Sequence, residues 1–272
     1  MAWCLRLAAA CALCLGALKA VAQETELSDI LRAAQGAQIL ILGEVHDNPG
    51  HHARQAEILD RLMPSAVVFE MISADAAARI TPDLARDPAA LALALAWANS
   101  GWPDFTFYAP LFALGAKVPV YGAHLDRAAV RAAFDRGAAA VFAGDSARFG
   151  LNDPLPQSEQ TAREAEQMAA HCDALPDHIL PGFVEAQRLR DAALAMAALA
   201  AWDAHGGPVA VITGNGHARR DWGVPALLAR AAPEVAVFAL GQFEAPPEGD
   251  VPFDLWAVSA PVDRPDPCAA FR

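Results

Sequence analysis

Six short apolar segments recur along the chain, and turn-forming residues bound each of them. They cover residues 37–43, 66–70, 118–123, 208–214, 234–240 and 253–259. Apolar residues follow one another almost without interruption in these segments, whereas a strand with one wet face alternates apolar and polar residues. Continuous apolar strands are typical of a sheet that is covered on both faces. The segments therefore predict buried strands.

Longer stretches with helical character separate the predicted strands. They cover residues 50–62, 87–98, 126–134, 159–170, 179–204 and 221–232. This alternation predicts an α/β fold, with a mostly parallel central sheet flanked by helices. Residues 72–115 and 150–205 contain no good strand, and we expect a helical insertion or cap beside the sheet there.

The start of the chain differs in composition from the rest. Arg6 is followed by an apolar stretch and then by Ala20-Val21-Ala22, which is the layout of a secretory signal peptide. The apolar part is too short to span a membrane, and Lys19 interrupts it. We therefore expect residues 1–22 to be a signal peptide that delivers a single α/β domain, residues 23–272, to the periplasm.

A lipid anchor is the less favoured alternative for the exported protein. It would require Cys11 or Cys14 to follow a good lipobox. Ala8-Ala9-Ala10 before Cys11 is a poor lipobox, and little apolar chain precedes it. Secretion through a signal peptide is therefore the preferred hypothesis.

Cys172 and Cys268 are the cysteines that remain once the predicted leader is removed. An even number of cysteines in an oxidising compartment favours a disulfide. A Cys172–Cys268 bridge would pin the C-terminal tail to the middle of the chain. Two free thiols are the alternative.

The chain is acidic overall, with a formal net charge of -12, and 55% of its 272 residues are apolar. That apolar content is enough for one full-sized core. Binding to a phosphate backbone needs clustered Lys and Arg, and the sequence contains no run of five or more basic residues. We therefore expect no nucleic-acid partner.

Carboxylate and imidazole side chains follow several of the predicted strands, at the point where each strand ends. They are Glu44 and His46 after the first strand, Glu70 at the end of the second and His217 after the fourth. Ligands bind outside the carboxyl ends of the strands in open parallel sheets. We therefore expect these side chains to form the candidate catalytic site, with His124 after the third strand as a neighbour.

Two carboxylates and two imidazoles offer two kinds of chemistry. In the metal hypothesis, one divalent ion is held by Glu44, His46, Glu70 and His217. The ion would lower the pKa of a water molecule bound to it. Without a metal, His46 or Glu70 would act as a general base on water. Each residue also has a purely structural interpretation, as an ion pair, a helix cap or a backbone hydrogen-bond partner.

The next candidates lie close to this site in the sequence. His51 and His52 start the predicted helix at residues 50–62. Adjacent helical residues do not share a face, so at most one of the two would face the site, and a solvated helix start is the alternative for both. Tyr108 lies in an aromatic-rich stretch, which is typical of packing.

Arg190 interrupts the apolar face of the longest predicted helix. It would form an ion pair with Glu44 or Glu70, or pair with Asp191 on the solvent side. The histidines in loop-like or helix-end contexts are expected at the surface: His171, His178 and His205.

Taken together, these motifs resemble the ChaN-type haem-binding-uptake proteins. The resemblance is carried by Gly43-x-x-His46 with Glu44 inside it, Glu70 in Phe-Glu-Met, a helix with Gln187, Arg190 and Asp191, and a second Gly-x-x-His that ends at His217. It covers most of the mature chain. The same superfamily includes the Tiki proteases and the erythromycin-esterase-like proteins.

The resemblance implies an α/β fold with the Glu/His cluster in a cleft. For the ChaN branch it implies haem binding, often by a homodimer, in an exported or lipid-anchored protein of haem and iron uptake. An outer-membrane or uptake-system partner would accompany that role. By motif match, the superfamily's active-site cluster corresponds to Glu44, His46, Glu70 and His217.

The choice among haem ligands stays open at the level of sequence. Haem iron needs a Tyr, His, Cys or Met ligand beside apolar walls. The candidate cofactor-binding residues are His51, His52, Tyr108 and Arg190. A metal-dependent or Glu/His acid–base hydrolase is the alternative, because the Glu/His set exceeds what one axial ligand requires. A third interpretation is a protein that binds a partner and uses the cluster only as a buried polar core.

Overall fold

A computed structural model describes residues 25–269, so the predicted signal peptide lies outside the described residues. Within that range the strands are β1 (Ile39–Glu44), β2 (Ala66–Phe69), β3 (Val120–Gly122), β4 (Val209–Gly214), β5 (Val237–Phe243) and β6 (Leu255–Val258). Each lies in one of the apolar segments singled out by the sequence, or within three residues of its end. The predicted strands are therefore confirmed.

The helices separate these strands along the chain. In the described part they are α1 (Leu27–Ala33), α2 (Pro49–Leu62), α3 (Ala74–Ala77), α4 (Pro82–Ala85), α5 (Pro88–Ala94), α6 (Phe105–Phe112), α7 (Arg127–Arg136), α8 (Gln157–Ala170), α9 (Leu180–His205), α10 (Asn215–Ala218) and α11 (Val224–Ala231). Short 3-10 turns follow at Trp97–Asn99, Ala113–Ala116, Ala138–Ala140 and Asp177–Ile179.

The strands form one sheet in the order β3-β2-β4-β1-β5-β6. Every neighbouring pair is parallel, so all strands end at the same edge of the sheet. β1 and β4 lie side by side in the middle, with Glu44 opposite Gly214 at their ends. The α/β fold with a parallel central sheet is confirmed, and its carboxyl edge is where the sequence placed the candidate site.

Alternate residues of each central strand enter two separate cores. On one face, Ile39 and Ile41 of β1 join a cluster that includes residues of α9 and α11. On the other face, Leu40 and Leu42 join a cluster that includes residues of α1, α2 and α6. Both faces of β1 are therefore covered by helices, which explains why its sequence is apolar without alternation.

The region between β2 and β3 is a helical insertion, as the sequence predicts. α3, α4, α5 and α6 occupy it and pack against one face of the sheet. Phe112 of α6 stacks on Phe69 of β2 with ring centroids 4.1 Å apart. The insertion is therefore part of the core that supports the sheet edge.

Two further features bear on the predictions for the chain. A disulfide joins Cys172 to Cys268, which confirms the bridge that the sequence predicts and ties the segment after α8 to the C-terminal tail. Within residues 25–269, none of the helices combines the length and the apolar character that a membrane crossing requires.

Candidate functional site

Three parallel strands bring the candidate residues to one place. Glu44 is the last residue of β1, Glu70 comes directly after β2, and His217 lies in the short helix that follows β4. The backbone N–H of Glu70 donates to the carbonyl of Ile212, which continues the ladder between β2 and β4. We call Glu44, His46, Glu70, Asp191 and His217 the Glu70 cluster.

The Glu70 carboxylate lies at the centre of the cluster. Its Oε2 atom accepts hydrogen bonds from the Thr213 hydroxyl at 2.7 Å and from the Gly214 N–H at 2.8 Å. His217 Nε2 lies 3.6 Å from Oε1, and His46 Nε2 lies 4.0 Å from Oε2. Burial raises the pKa of Glu70, but the charges of the two imidazoles and these hydrogen bonds outweigh it and hold the pKa below its ordinary value.

Each imidazole is oriented by a second carboxylate on its far side. The Nδ1 atom of His46 lies 2.8 Å from Glu44 Oε1, and the Nδ1 atom of His217 lies 2.7 Å from Asp191 Oδ1. These bonds hold both rings with Nε2 towards Glu70. The cluster is therefore a pair of carboxylate–histidine units that meet at one central carboxylate.

The cluster shifts the pKa of both imidazoles upwards. Burial lowers the pKa of His217, but the charges of Glu70 and Asp191 outweigh it and raise the pKa to about 9. For His46, burial also lowers the pKa, but the hydrogen bond to Glu44 and the charge of Glu70 outweigh burial. The pKa of His46 is therefore raised above its ordinary value. Asp191 is almost fully buried, which raises its pKa although His217 opposes the shift. The arrangement can hold and pass protons, and the catalytic role of these residues stays a prediction.

Glu44 is 2% exposed and anchors the helical insertion to the sheet edge. The hydroxyl of Tyr108 in α6 donates to Glu44 Oε1 at 2.8 Å, and Gln55 Nε2 of α2 donates to Oε2 at 2.9 Å. Tyr108 is fully buried, and burial together with the charge of Glu44 raises the pKa of its phenol. Tyr108 therefore exposes no side-chain surface in this structure, and its selection as a cofactor-binding residue stays a prediction.

His51 and His52 are buried parts of the same scaffold. Nδ1 of His51 accepts from the Val45 N–H at 2.9 Å, so its Nε2 donates to the carbonyl of Phe243 at 3.2 Å. Nε2 of His52 donates to the carbonyl of His46 at 2.8 Å. Both rings are buried, so neither is a solvated helix start, and their selection as cofactor-binding residues stays a prediction.

The metal hypothesis does not fit this geometry. Among residues 25–269, no group of three or more His, Cys, Asp or Glu is arranged to hold a metal ion. Glu44 lies behind His46, where its oxygens accept from Tyr108 and Gln55. The proposal that Glu44, His46, Glu70 and His217 share one divalent ion is therefore not supported.

Gly214 permits the close contact between β4 and His46. A Cβ atom at this position would lie 2.8 Å from His46 Nε2, whereas a Cβ atom at Gly216 would meet no atom within 4 Å. Trp102 lies on the other side of His46, with ring centroids 4.8 Å apart. Only the first glycine of Gly-Asn-Gly-His is therefore required by packing.

Three neighbouring cavities surround the cluster. The first, of about 400 Å³, is lined by Glu44, His46, Asp191 and His217. The second, of about 310 Å³, is lined by Glu70, Trp102, His124 and Arg190. Arg190 therefore faces a cavity that it shares with Glu70, but no ion pair between Arg190 and Glu44 or Glu70 is present among residues 25–269.

The third cavity is the largest of these, at about 610 Å³, and we call it the α7–α9 groove. Its apolar walls include Leu125, Val130, Phe134, Ile179 and Phe183, and its polar residues include His124, His171, Arg127, Arg131 and Arg190. Gln187 lines all three cavities, and its Oε1 atom is buried without a hydrogen-bond partner in the described part of the chain. The groove and the cluster therefore meet at Gln187.

Three residues of this region were not among the candidate site residues. Asp191 belongs to the motif that carries the resemblance, and one alternative paired it with Arg190 on the solvent side, whereas the structure buries it against His217. Trp102 covers His46, and His171 lines the groove. Asp191 had a usable signal, because a carboxylate within a long apolar helix has to find a buried partner; the other two carried none.

Comparisons with known proteins point to one family. The family model described as haem-binding uptake, Tiki superfamily, ChaN matches residues 30–228. Among solved structures, the chain is similar to ChaN of Campylobacter jejuni, described with cofacial haem binding, at a TM-score of 0.62 and 17% identity over 85% of this chain and 90% of that chain. This likeness concerns the fold.

Other solved structures are less similar. The type III effector HopBA1 aligns at a TM-score of 0.41 and 15% identity, over 79% of this chain and 82% of that chain. A succinoglycan biosynthesis protein aligns at a TM-score of 0.40 and 11% identity, over 80% of this chain and 69% of that chain. No match was found among curated proteins.

Proposed function

The chain belongs to the haem-binding uptake family ChaN of the Tiki superfamily, and on this basis we propose that it binds haem in the α7–α9 groove. The residues that line the groove are the observation that supports this choice of haem site. Aromatic and aliphatic side chains, imidazoles and arginines line one cavity of about 610 Å³, a size typical of small-molecule sites. Haem requires these same groups: apolar walls, an axial ligand and cations for its propionates.

Two arginines of the groove support the proposal, because their side chains have no partner in the described part of the chain. No hydrogen bond or ion pair of Arg127 or Arg190 is present among residues 25–269. Arg127 is the first residue of α7, where the helix dipole disfavours a cation. Cations in such positions are available to carboxylates of a ligand.

We extend the proposal to the biological setting. The signal-peptide pattern of residues 1–22 supports export to the periplasm, where the protein would take part in haem and iron uptake with an outer-membrane or uptake-system partner. Haem binding in Campylobacter jejuni ChaN is cofacial. The groove carries exposed residues such as His124 and Arg127, so two copies of this chain would face each other across it as a homodimer.

Titration with haemin tests the proposal directly. Residues 23–272 would be purified and titrated, with the Soret band recorded at each step and the mass measured by light scattering with and without haemin. We expect a shifted Soret band that saturates at a fixed ratio, and a change from monomer to dimer on loading. Absence of a saturable Soret shift would overturn haem binding; saturation without a change in mass would overturn only the homodimer.

A charge reversal with a matched control tests the location. Arg127→Glu changes the groove, whereas Arg136→Glu makes the same change on the same helix at a position that does not line the groove. We expect Arg127→Glu to weaken haemin binding about tenfold and Arg136→Glu to leave it within about twofold, because a propionate contact contributes on the order of 1 kcal/mol. Equal affinities of the two variants would place the haem elsewhere.

The hydrolase alternative is not favoured by these findings. The matched family model is that of the haem-binding branch, and the described residues lack the metal geometry that one form of hydrolysis requires. The Glu70 cluster has groups for acid–base chemistry, but the cavities that it lines, of about 400 and 310 Å³, are smaller than the α7–α9 groove.

A further inference from the structure

We propose that His171 is the axial ligand of the haem in the α7–α9 groove. This assignment rests on the proposed function and concerns a residue that sequence reasoning placed at the surface. His171 follows α8 directly, is half-buried and lines the groove. When bound, haem supplies the iron that the imidazole ligates; the rest of the argument concerns the side chain itself.

The hydrogen bond of His171 fixes the tautomer that a ligand requires. Its Nδ1 atom lies 2.7 Å from the carbonyl oxygen of Gln167. A carbonyl oxygen only accepts, so Nδ1 carries the proton and Nε2 of the neutral ring keeps its lone pair. Metal-ligating histidines almost always donate their other N–H to a carbonyl or carboxylate in this way.

The packing of His171 holds the ring in place beside the apolar wall. Its centroid lies 4.8 Å from that of Phe183, which also lines the groove. The next residue, Cys172, is bonded to Cys268 and has a left-handed φ of 61°. The disulfide therefore anchors the turn that carries the imidazole, which is how proteins preorganise a metal ligand.

The other imidazoles are less suited to ligate iron in this groove. His46 and His217 direct Nε2 towards Glu70. His124 also lines the groove, but its ring makes no hydrogen bond to another of residues 25–269, so nothing sets its tautomer. His178 is exposed and does not line the groove.

Ligand substitution followed by spectroscopy tests the assignment. Wild type, His171→Ala, His171→Gln and His178→Ala would be titrated with haemin, and ferric and ferrous spectra recorded. We expect both His171 variants to shift the Soret maximum and to bind haemin at least about tenfold more weakly, with His178→Ala unchanged. Imidazole added to His171→Ala would restore the wild-type spectrum.

The outcomes separate this assignment from the proposed function. Failure of the wild type to bind haemin would remove haem binding itself. A wild type that binds, with His171 variants of unchanged spectrum and affinity, would overturn the ligand assignment alone. A His124→Ala variant that loses the Soret shift while His171→Ala keeps it would give the role to His124. Circular dichroism of each variant confirms that loss of binding is not loss of the fold.

Discussion

The Glu70 cluster and the α7–α9 groove meet at Gln187, but they use their polar groups in different ways. In the cluster, the polar atoms of Glu70, His46 and His217 face other side chains of the cluster, the Thr213 hydroxyl or the Gly214 N–H. In the groove, Arg127 and Arg190 have no hydrogen-bond or ion-pair partner in the part of the chain that the structure describes.

This difference separates two purposes of charge in one protein. Charges that are satisfied internally fix geometry, and their loss leaves buried groups unpaired. Charges without an internal partner contribute little to stability and remain available to a ligand. We therefore expect substitutions in the cluster to change mainly the free energy of unfolding. Substitutions in the groove should change mainly the affinity for haem.

The largest effect is expected from Glu44→Ala. It leaves the Tyr108 hydroxyl and the Gln55 amide buried without their acceptor, so we expect the free energy of unfolding to fall by about 3–5 kcal/mol. Chemical denaturation measures this, with the exposed Glu57→Ala on α2 as the control, expected within about 0.5 kcal/mol. A loss below about 1 kcal/mol would show that Glu44 does not hold the insertion.

The second effect depends on pH. His217 has its pKa raised to about 9, so the stability from its protonated form is fully present below its ordinary pKa of 6.5 and is lost as pH rises through about 9. The gap is the difference in free energy of unfolding between wild type and His217→Gln. We expect it to narrow by about 2–3 kcal/mol between pH 6.5 and about pH 9.

Urea unfolding at several pH values measures this gap, and an NMR titration of the imidazole locates the pKa. His178→Gln, at an exposed position, is the control for removing an imidazole outside the cluster. A gap that is constant from pH 6 to pH 10 would mean that folding does not raise the pKa of His217.

A smaller effect is expected from Gly214→Ala. The added Cβ would lie 2.8 Å from His46 Nε2, so the imidazole has to move, at a cost of about 1–2 kcal/mol. Gly216→Ala is the matched control, because its Cβ meets open space, and we expect no loss there. Thermal unfolding of both variants makes the comparison, and equal midpoints would disprove the close contact.

The smallest effect on stability is expected in the groove. Arg127→Ala removes a cation from the first turn of α7 and should leave the free energy of unfolding unchanged or raise it by up to about 0.5 kcal/mol. Arg136→Ala removes a cation from the last turn of the same helix and should lower it by about 0.3–1 kcal/mol. If Arg127→Ala proved the more destabilising of the two, Arg127 would have a structural role.

The sequence was sufficient to predict the sheet, because buried strands are continuous apolar segments. It was also sufficient to predict that four side chains lie close together: Glu44, His46, Glu70 and His217. Parallel strands then place their ends at one edge, whatever the side chains do. The Cys172–Cys268 bridge was also predicted, because the sequence after the predicted signal peptide contains one pair of cysteines. These features depend on local pattern and topology.

The roles of individual residues could not be predicted in the same way. Tyr108 lies beside Glu44 only because the insertion folds back over β1. His171 lines the groove only because α8 ends beside α9. Such contacts depend on packing between elements far apart in the chain, which neither periodicity nor spacing records.

The hydrogen bonds of Glu44 and Glu70 also bear on the order of folding. Tyr108 is 64 residues from Glu44 in the chain, and Thr213 is 143 residues from Glu70. Contacts of such long range form only after the sheet has closed large loops, which is slow. We therefore expect the side chains of the cluster to reach their final positions late in folding.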